Sequence, residues 1–369
     1  MTTSRIAIIG GGPGGLMLAQ LLERGGMRPI VFERDTHEDE RPQGGSLDLH
    51  ADTGQHAIRR AGLEAEFLAE ARPEDQGDRL YQPDGTLLFD RDGAGDDRPE
   101  IDRSALRRIL LAALAPGTVR WASAVAAIVP SDSGFDVLTA AGSDRFDIVV
   151  GADGAWSRVR PLLSDAQPVY EGVTMVELGF DTARHPEIDA LVGSGKMFAV
   201  GDNRTLVAQR NGLGHIRGYA GLRVPEADSQ RLMAMPLEAV RAELRTAFAD
   251  WAPPLRALVE RGDMLAVRPL HALPIGHRWT SRPGLTLLGD AAHLMSPFAG
   301  EGVNLALADA VDLADALLTG ERWPAVERAE AAIAERAEPA AKGSAEGLAT
   351  AISSHGVEHV LAHYRARVG

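Results

Sequence analysis

The sequence predicts an α/β protein: a Rossmann-like dinucleotide-binding domain, discontinuous along the chain, with an inserted β-sheet domain for the substrate and a C-terminal bridging helix. Three observations predict it. The chain opens on a strand, glycine loop, helix and second strand within residues 5–34. From about Gln167 to Met264 the texture changes to short alternating runs, as in an antiparallel sheet. A buried apolar run, Gly284-Leu-Thr-Leu-Leu-Gly289, then returns to the texture of the opening.

Arg5-Ile-Ala-Ile-Ile is apolar and β-branched, which suits a strand covered on both faces, and it runs into Gly10-Gly-Gly-Pro-Gly-Gly15. Leu16, Leu18, Ala19 and Leu22 recur at helical spacing, Gly25-Gly26 stops that helix, and Pro29-Ile-Val-Phe32 reads as a second strand ending at Glu33. In this G-x-G-x-x-G pattern Gly10 permits the tight turn and Gly12 lets backbone N–H groups approach a pyrophosphate. Gly15 lets the helix pack on the strand, and the helix N-terminus adds partial positive charge. Glu33, eighteen residues beyond Gly15, is placed to accept hydrogen bonds from a ribose diol, and its charge disfavours a 2′-phosphate. FAD or NAD is the expected ligand of this unit.

The other elements follow in order. Residues 34–41 are a polar segment and 44–49 a loop, too glycine-rich for a central strand. Residues 57–71 read as one helix, 79–90 as a hairpin around Pro83-Asp84-Gly85, and Ile101-Asp102-Arg103 leads into a helix with Leu106, Ile109, Leu110 and Leu114 inside. Three strands are expected over 119–128, 135–139 and 145–150. The inserted block offers strands at 173–180, 196–200, 205–209 and 215–222, closed by a helix at 237–248. Residues 304–318 form a strongly apolar helix, and the Ala- and Glu-rich tail, 321–367, reads as helix packed across both domains.

The formal charge of -14 and the lack of a Lys/Arg stripe argue against a nucleic-acid surface. Cysteine is absent, which excludes disulfides, thiolate metal sites and a cysteine nucleophile. No run of about 18 apolar residues offers a membrane span, and the N-terminus enters the first strand without a signal sequence. A cytoplasmic monomer with no nucleic-acid or membrane partner is expected.

Two further segments sharpen the opening signal. Gly151-Ala-Asp153-Gly154, followed by Ser157-Arg158 and Arg160, sets a carboxylate and a small-residue turn beside the first unit. Gly289-Asp290-Ala-Ala-His293, followed by Pro297-Phe-Ala-Gly300-Glu-Gly302-Val-Asn304, puts Asp290 at a strand's carboxyl end within reach of a polyol and aims a helix N-terminus beyond it.

With these three motifs the chain resembles the FAD-dependent aromatic-hydroxylase-type (class A) monooxygenases over nearly its whole length. Within that group Gly44-Gly-Ser-Leu-Asp-Leu-His50, Glu100-Ile-Asp-Arg103 and the segment from Gly289 to Gly300 look most like the tetracycline-inactivating enzymes. The resemblance implies bound FAD, NADPH as a freely diffusing co-substrate, O₂, and hydroxylation through a flavin C4a-hydroperoxide. No second G-x-G-x-x-G is present for the nicotinamide. It implies residues 1–72, 98–166 and 272–318 as the FAD-binding domain, 73–97 and 167–271 as the substrate domain, and 319–369 as the C-terminal segment.

By the same resemblance Asp290 binds the ribityl chain and Glu33 the adenosine ribose. Arg34 and Arg103 sit by the adenylate and pyrophosphate with Asp48 nearby, and Asp153 joins the cofactor set. Gly302, Val303 and Asn304 face the flavin's pyrimidine edge, where a helix dipole stabilises negative charge. Pro297, Phe298 and Gly300 form the wall between flavin and substrate. Glu177 and Gly179 fall where the tetracycline enzymes carry amide contacts, Arg217 where a histidine meets substrate, and Lys196 near an arginine. Glu301 replaces the usual glutamine and Ser296 a proline.

The expected substrate is a tetracycline-like polycyclic enol or phenol; the two cations Arg217 and Lys196 would suit a related anionic polyketide, and their alternative reading is plain solvated strand residues. A smaller phenolic compound is the other substrate, and a flavin-fold protein that binds a ligand or partner without oxidation is the reading from another class. The W-x-W-x-I-P stretch and lysine of flavin-dependent halogenases are missing.

No metal is expected. His355, His359 and His363 share a helix face without a carboxylate to complete a site, and Asp309, Asp312 and Asp315 read as the polar side of the apolar helix. His293 reads as a buried histidine bonded within its own turn rather than a general base. His271 and His277, flanking Pro274, are assigned nothing.

Overall fold

A computed structural model describes residues 4–40, 44–93, 97–132, 134–319 and 323–368 of the chain. The ends expected for the polar segment at Arg41 and for the start of the tail at Glu321 lie outside the described residues.

At the centre of a five-stranded parallel sheet lies Ile6–Ile9, flanked by Ile148–Gly151 and Leu285–Leu287 on one side and by Ile30–Phe32 and Val119–Arg120 on the other. Its four residues are at most 3% exposed, so the unbroken apolar run has no solvent face to alternate with. Leu285–Leu287, distant in sequence, pairs directly with Ile148–Gly151, so this sheet is assembled across the inserted block.

The second sheet has seven strands, in the order Asp263–Ala272, Val169–Asp181, His215–Arg223, Arg204–Arg210, Gly195–Gly201, Gly77–Tyr81 and Leu87–Arg91. One face, with Val176, Leu178, Ile216, Ala220, Leu206 and Met197, packs against the helices Pro186–Val192, Glu226–Ala234, Leu237–Ala247 and Pro253–Arg261. The strand Asp263–Ala272 and three of these helices were not expected from the sequence. The short, proline-led helices gave too few turns for a helical period to stand out.

Several expected elements divide. The helix expected over 57–71 is two, Gly54–Ala61 and Glu64–Glu70, because Gly62 between them is left-handed (φ 71°). The expected strand 119–128 splits at Ala122 (φ 52°): Val119–Arg120 stays in the parallel sheet, and Val125–Ser131 joins a separate three-stranded sheet. The expected strand 145–150 splits at Asp147, with Gly142–Phe146 in the three-stranded sheet and Ile148–Gly151 in the parallel one. The segment 44–49 is not simply a loop, since Ser46–Asp48 pairs antiparallel with Glu100–Asp102.

The helix Trp323–Ala351 bridges the two main sheets. Its first turns, through Ala325, Val326, Ala329 and Ile333, join the core around the parallel sheet, and at its far end Leu348, Ala351 and Ile352 meet Val173 and Met175 of the seven-stranded sheet. The last helix, Gly356–Val368, lays Tyr364 against Leu80 and Val200. No described helix is long and apolar enough to cross a membrane.

Candidate active site

The first strand delivers the chain to Gly10, whose φ of +111° and closeness to Ala152 leave no room for a side chain. A Cβ on Gly15 would stand 2.2 Å from the Gly10 carbonyl oxygen, so this glycine lets the helix Pro13–Arg24 sit tight on the loop. Gly12 differs, because a Cβ there meets nothing within 4 Å. It is also the N-cap and offers no side-chain cap, so the helix N-terminus faces open space with free donors.

Glu33 is 5% exposed, and its carboxylate accepts the Gly11 N–H at 2.8 Å and the Asp35 N–H at 3.0 Å. It therefore braces the glycine loop, with lone pairs left over. Arg34 and Arg103 are exposed. The arginine that reaches the loop is Arg107, 4% exposed, which donates to the Glu38 carbonyl at 2.5 Å and to the Gly11 carbonyl at 3.5 Å. Its Nη2 lies 3.7 Å from Asp35, and its guanidinium stands 5.3 Å over the Trp121 ring. A charge between Leu106 and Ile109 on the inward side of an amphipathic helix was the signal for it.

The three separated motifs meet. The Cβ position of Gly14 lies 2.7 Å from Leu288 Cδ1 and 3.0 Å from the Ala306 carbonyl, which packs the first helix against both the strand end before Asp290 and the helix Gly302–Leu318. Asp290 is exposed, and its Oδ1 is 4.0 Å from the Cβ position of Gly302 at that helix's N-terminus, which also has no side-chain cap. Asp153 accepts the Arg158 N–H at 2.6 Å through Oδ2, while its buried Oδ1 has no partner among the described residues and burial pushes its carboxyl pKa up.

The ribbon strand Ser46–Asp48 is tied to the loop before that helix. Asn304, fully buried, donates to the Asp48 carbonyl at 2.9 Å and the Gly300 carbonyl at 3.2 Å, and accepts the His50 N–H at 2.9 Å. The His50 ring lies between Asp48 Oδ2 at 3.3 Å and Glu301 Oε2 at 3.5 Å. Burial works against its charge, but these two carboxylates raise its pKa to about 9. Burial opposes the Asp48 charge too, yet His50 and Lys196 hold its pKa below the usual value. Glu100, bonded to Ser46 Oγ at 2.7 Å, is pushed by burial up to about 7 against the pull of Lys196. His50, Glu100 and Glu301 form a charged rim that was visible in sequence only as part of motifs.

Residues paired across strands share a face, and Glu177 pairs with Tyr219, Gly179 with Arg217, Gln209 with both Arg217 and Lys196, and Lys196 with Asp78. These residues therefore line the face opposite the helix-covered one. That face meets the ribbon, since the Cβ position of Gly45 is 3.2 Å from the Tyr219 hydroxyl and 3.4 Å from Arg217 Cγ. Arg217 and Lys196 are not plain solvated residues. Arg217 bonds Glu177 at 3.1 Å, Arg268 bonds the same carboxylate at 3.3 Å, and Lys196 lies 3.7 Å from Asp78. Phe298 packs on the tail, its Cβ 3.3 Å from the Cβ position of Gly347.

The His293 ring bonds Asp309 at 2.6 Å rather than a group of its own turn, where its backbone N–H meets the Gly289 carbonyl, and Asp309 also takes the Gly289 N–H and Arg336. Asp309 is thus a fully buried anchor rather than the polar side of its helix, while Asp312 pairs with Arg336 and Asp315 with Arg60. His355 immediately precedes the helix Gly356–Val368 and its carbonyl accepts the His359 N–H at 3.3 Å, so only His359 and His363 lie within that helix.

FAD fits the residues present. Two uncapped helix N-termini, open space before Gly12, an Asp153 oxygen without a partner among the described residues and an exposed Asp290 gather around the glycine loop, which Gly10 joins to Asp153 and Gly14 to Leu288 and Ala306. Together with the facing seven-stranded mixed sheet, they define a dinucleotide-binding flavoprotein with a second sheet beside the first.

The family described as FAD binding domain matches residues 3–345, and the chain belongs to it. The monooxygenase penA of Penicillium thymicola is 34% identical over 85% of this chain and 84% of its own length. The monooxygenase asqM of Emericella nidulans is 32% identical over 85% and 83%. Among solved structures, HpxO of Klebsiella pneumoniae with FAD and uric acid matches with a TM-score of 0.78 at 22% identity, over 99% of this chain and 92% of that one. The tetracycline destructase Tet(55) matches with a TM-score of 0.78 at 19% identity, over 99% and 94%. The chain is an FAD-dependent monooxygenase of the aromatic-hydroxylase type.

Proposed function

We propose that this monooxygenase consumes NADPH and hydroxylates a polycyclic, tetracycline-like enol or phenol held between the Pro297–Ala299 turn and the seven-stranded sheet. The observation that carries this reading is the shared sheet face of Glu177, Gly179, Lys196 and Arg217 over the ribbon at Gly45. Two guanidiniums, Arg217 and Arg268, surround the single Glu177 carboxylate, a positive surplus that suits an ionised enol or phenol.

In this reading residues 1–72, 98–166 and 272–318 hold the cofactor, and 73–97 with 167–271 roof the substrate. The Gly10, Gly12 and Gly15 loop cradles the pyrophosphate with Asp153 beside it, Arg34 and Arg103 neutralise that region, and Glu33 takes the ribose. Asp290 takes the ribityl chain, and the helix N-terminus at Gly302, Val303 and Asn304 meets the pyrimidine edge. Pro297, Phe298 and Gly300 form the wall between flavin and substrate, in a site closed to water. Bound FAD supplies the oxygen-activating chemistry.

The test is NADPH oxidation by the FAD-loaded protein with tetracyclines and with simple hydroxybenzoates. Acceleration by the polycycles alone is expected. Acceleration by hydroxybenzoates alone would move the assignment to a smaller phenolic substrate, and no turnover of either by flavin-loaded protein would favour ligand binding without oxidation.

A further inference from the structure

Behind the flavin-facing loop lies a cavity of about 330 Å³ that no part of the proposed reaction uses. Its walls come from three elements: the start of the long strand at Val169, Tyr170 and Glu171, the segment Leu294 to Ser296, and the tail helix at Ala341 and Ala345, with residues 272–275 closing the side. In each of the three elements the apolar cluster of Val173, Met175, Phe298, Leu348 and Ala351 comes next along the chain. That cluster, to which Phe298 of the Pro297–Ala299 turn belongs, separates the cavity from Glu177 and Arg217.

The walls are apolar except at one point. The Tyr170 hydroxyl is spent on Thr174 and the Val224 carbonyl. Ser296, which stands where the resemblance has a proline, shares its hydroxyl with Ser344 of the tail helix at 2.9 Å. Glu171 lines the cavity beside Ser296, its buried Oε2 has no hydrogen-bond partner among the described residues, and burial pushes its carboxyl pKa up. An acceptor left in this state costs about 1–3 kcal/mol, and an apolar side chain of the same shape would avoid that cost. The volume lies at the small end of ligand pockets, roughly 300–1,000 Å³, and exceeds the roughly 150 Å³ that admits benzene.

We propose that this cavity is a second small-molecule site, separate from the flavin and substrate face, which takes a compact apolar ring bearing one N–H or O–H donor for Glu171. Val169 and Ile275, 62% and 53% exposed, mark its mouth on the surface. Ala341 and Ala345 leave the space that larger residues would fill.

Indole and benzofuran, alike in shape but only the first with an N–H, are titrated calorimetrically into the FAD-loaded protein, so that the flavin cleft is filled and no turnover is needed. Indole is expected to bind about tenfold more tightly than benzofuran, the effect of one hydrogen bond to a carboxylate. In Glu171→Leu the two probes should bind alike, and in Ala345→Trp, which fills the cavity, neither should bind. The flavin content of each variant checks that it has folded. No saturable indole binding to the parent protein, or an equal affinity for the two probes there, overturns the proposal without touching the assigned reaction. So does an indole preference that survives in Glu171→Leu.

Discussion

Asn304 and Asp48, 256 residues apart, are joined by a 2.9 Å hydrogen bond from the Asn304 amide to the Asp48 carbonyl. The same side chain accepts the His50 N–H, so one buried amide fixes the ribbon against the N-terminus of the helix Gly302–Leu318. Asn304→Ala leaves those backbone groups unpaired, which should cost about 1–3 kcal/mol of unfolding free energy. It should also weaken FAD binding, because the helix end and the ribbon lose their register. A urea midpoint and a flavin dissociation constant both unchanged from wild type would refute the clamp.

Gly12 and Gly15 belong to one motif but should fail differently. Gly12 has φ -78° and open space at its Cβ position, so Gly12→Ala should fold with normal stability while its methyl group intrudes on the pyrophosphate. Gly15→Ala drives a methyl group to 2.2 Å from the Gly10 carbonyl and should lose stability by about 1–3 kcal/mol as well. Thermal melts of the flavin-free proteins separate the two; equal melting temperatures for both variants contradict the packing.

Asp290 is exposed, and among the described residues no side-chain hydrogen bond ties its carboxylate into the flavin-free fold. Asp290→Ala should therefore leave the melt of the flavin-free protein unchanged and weaken FAD binding by about 1.5–3 kcal/mol, the range for hydrogen bonds to a charged group. Retention of FAD at wild-type affinity would place the ribityl contact elsewhere.

What the sequence disclosed and what it hid divide along chain separation. The loop from Gly10 to Gly15 and the strand before it were legible because every determinant lies within a few residues. So was the return of the parallel sheet at 285–287, since a strand buried on both faces is apolar throughout. Arg107 and Asp309 were misjudged or missed because their partners, Asp35 and His293, come from other elements. Each nonetheless left a mark, a lone charge on an otherwise apolar helix face, and such a charge is kept only where something distant satisfies it. The pairing of Arg217 with Glu177 depended on strand register, which alternation alone does not set between strands forty residues apart.

His50 makes stability depend on pH in a defined window. Asp48 and Glu301 flank its ring, and Arg98 Nη1, 3.4 Å from Nε2, opposes its charging. The carboxylates prevail and lift the pKa from 6.5 to about 9. A raised folded-state value means that the imidazolium's contribution is complete below 6.5 and is lost as pH rises through about 9. Glu100, raised from 4.5 to about 7, loses its contribution earlier, and Asp48, held below 3.8, matters only in acid. Urea midpoints should therefore fall for wild type across both windows. In His50→Gln the decline between 6.5 and about 9 should flatten while the one below about 7 persists. Glu100→Gln should show the reverse, so identical pH profiles for the two variants would refute the assignment of the two windows to His50 and Glu100.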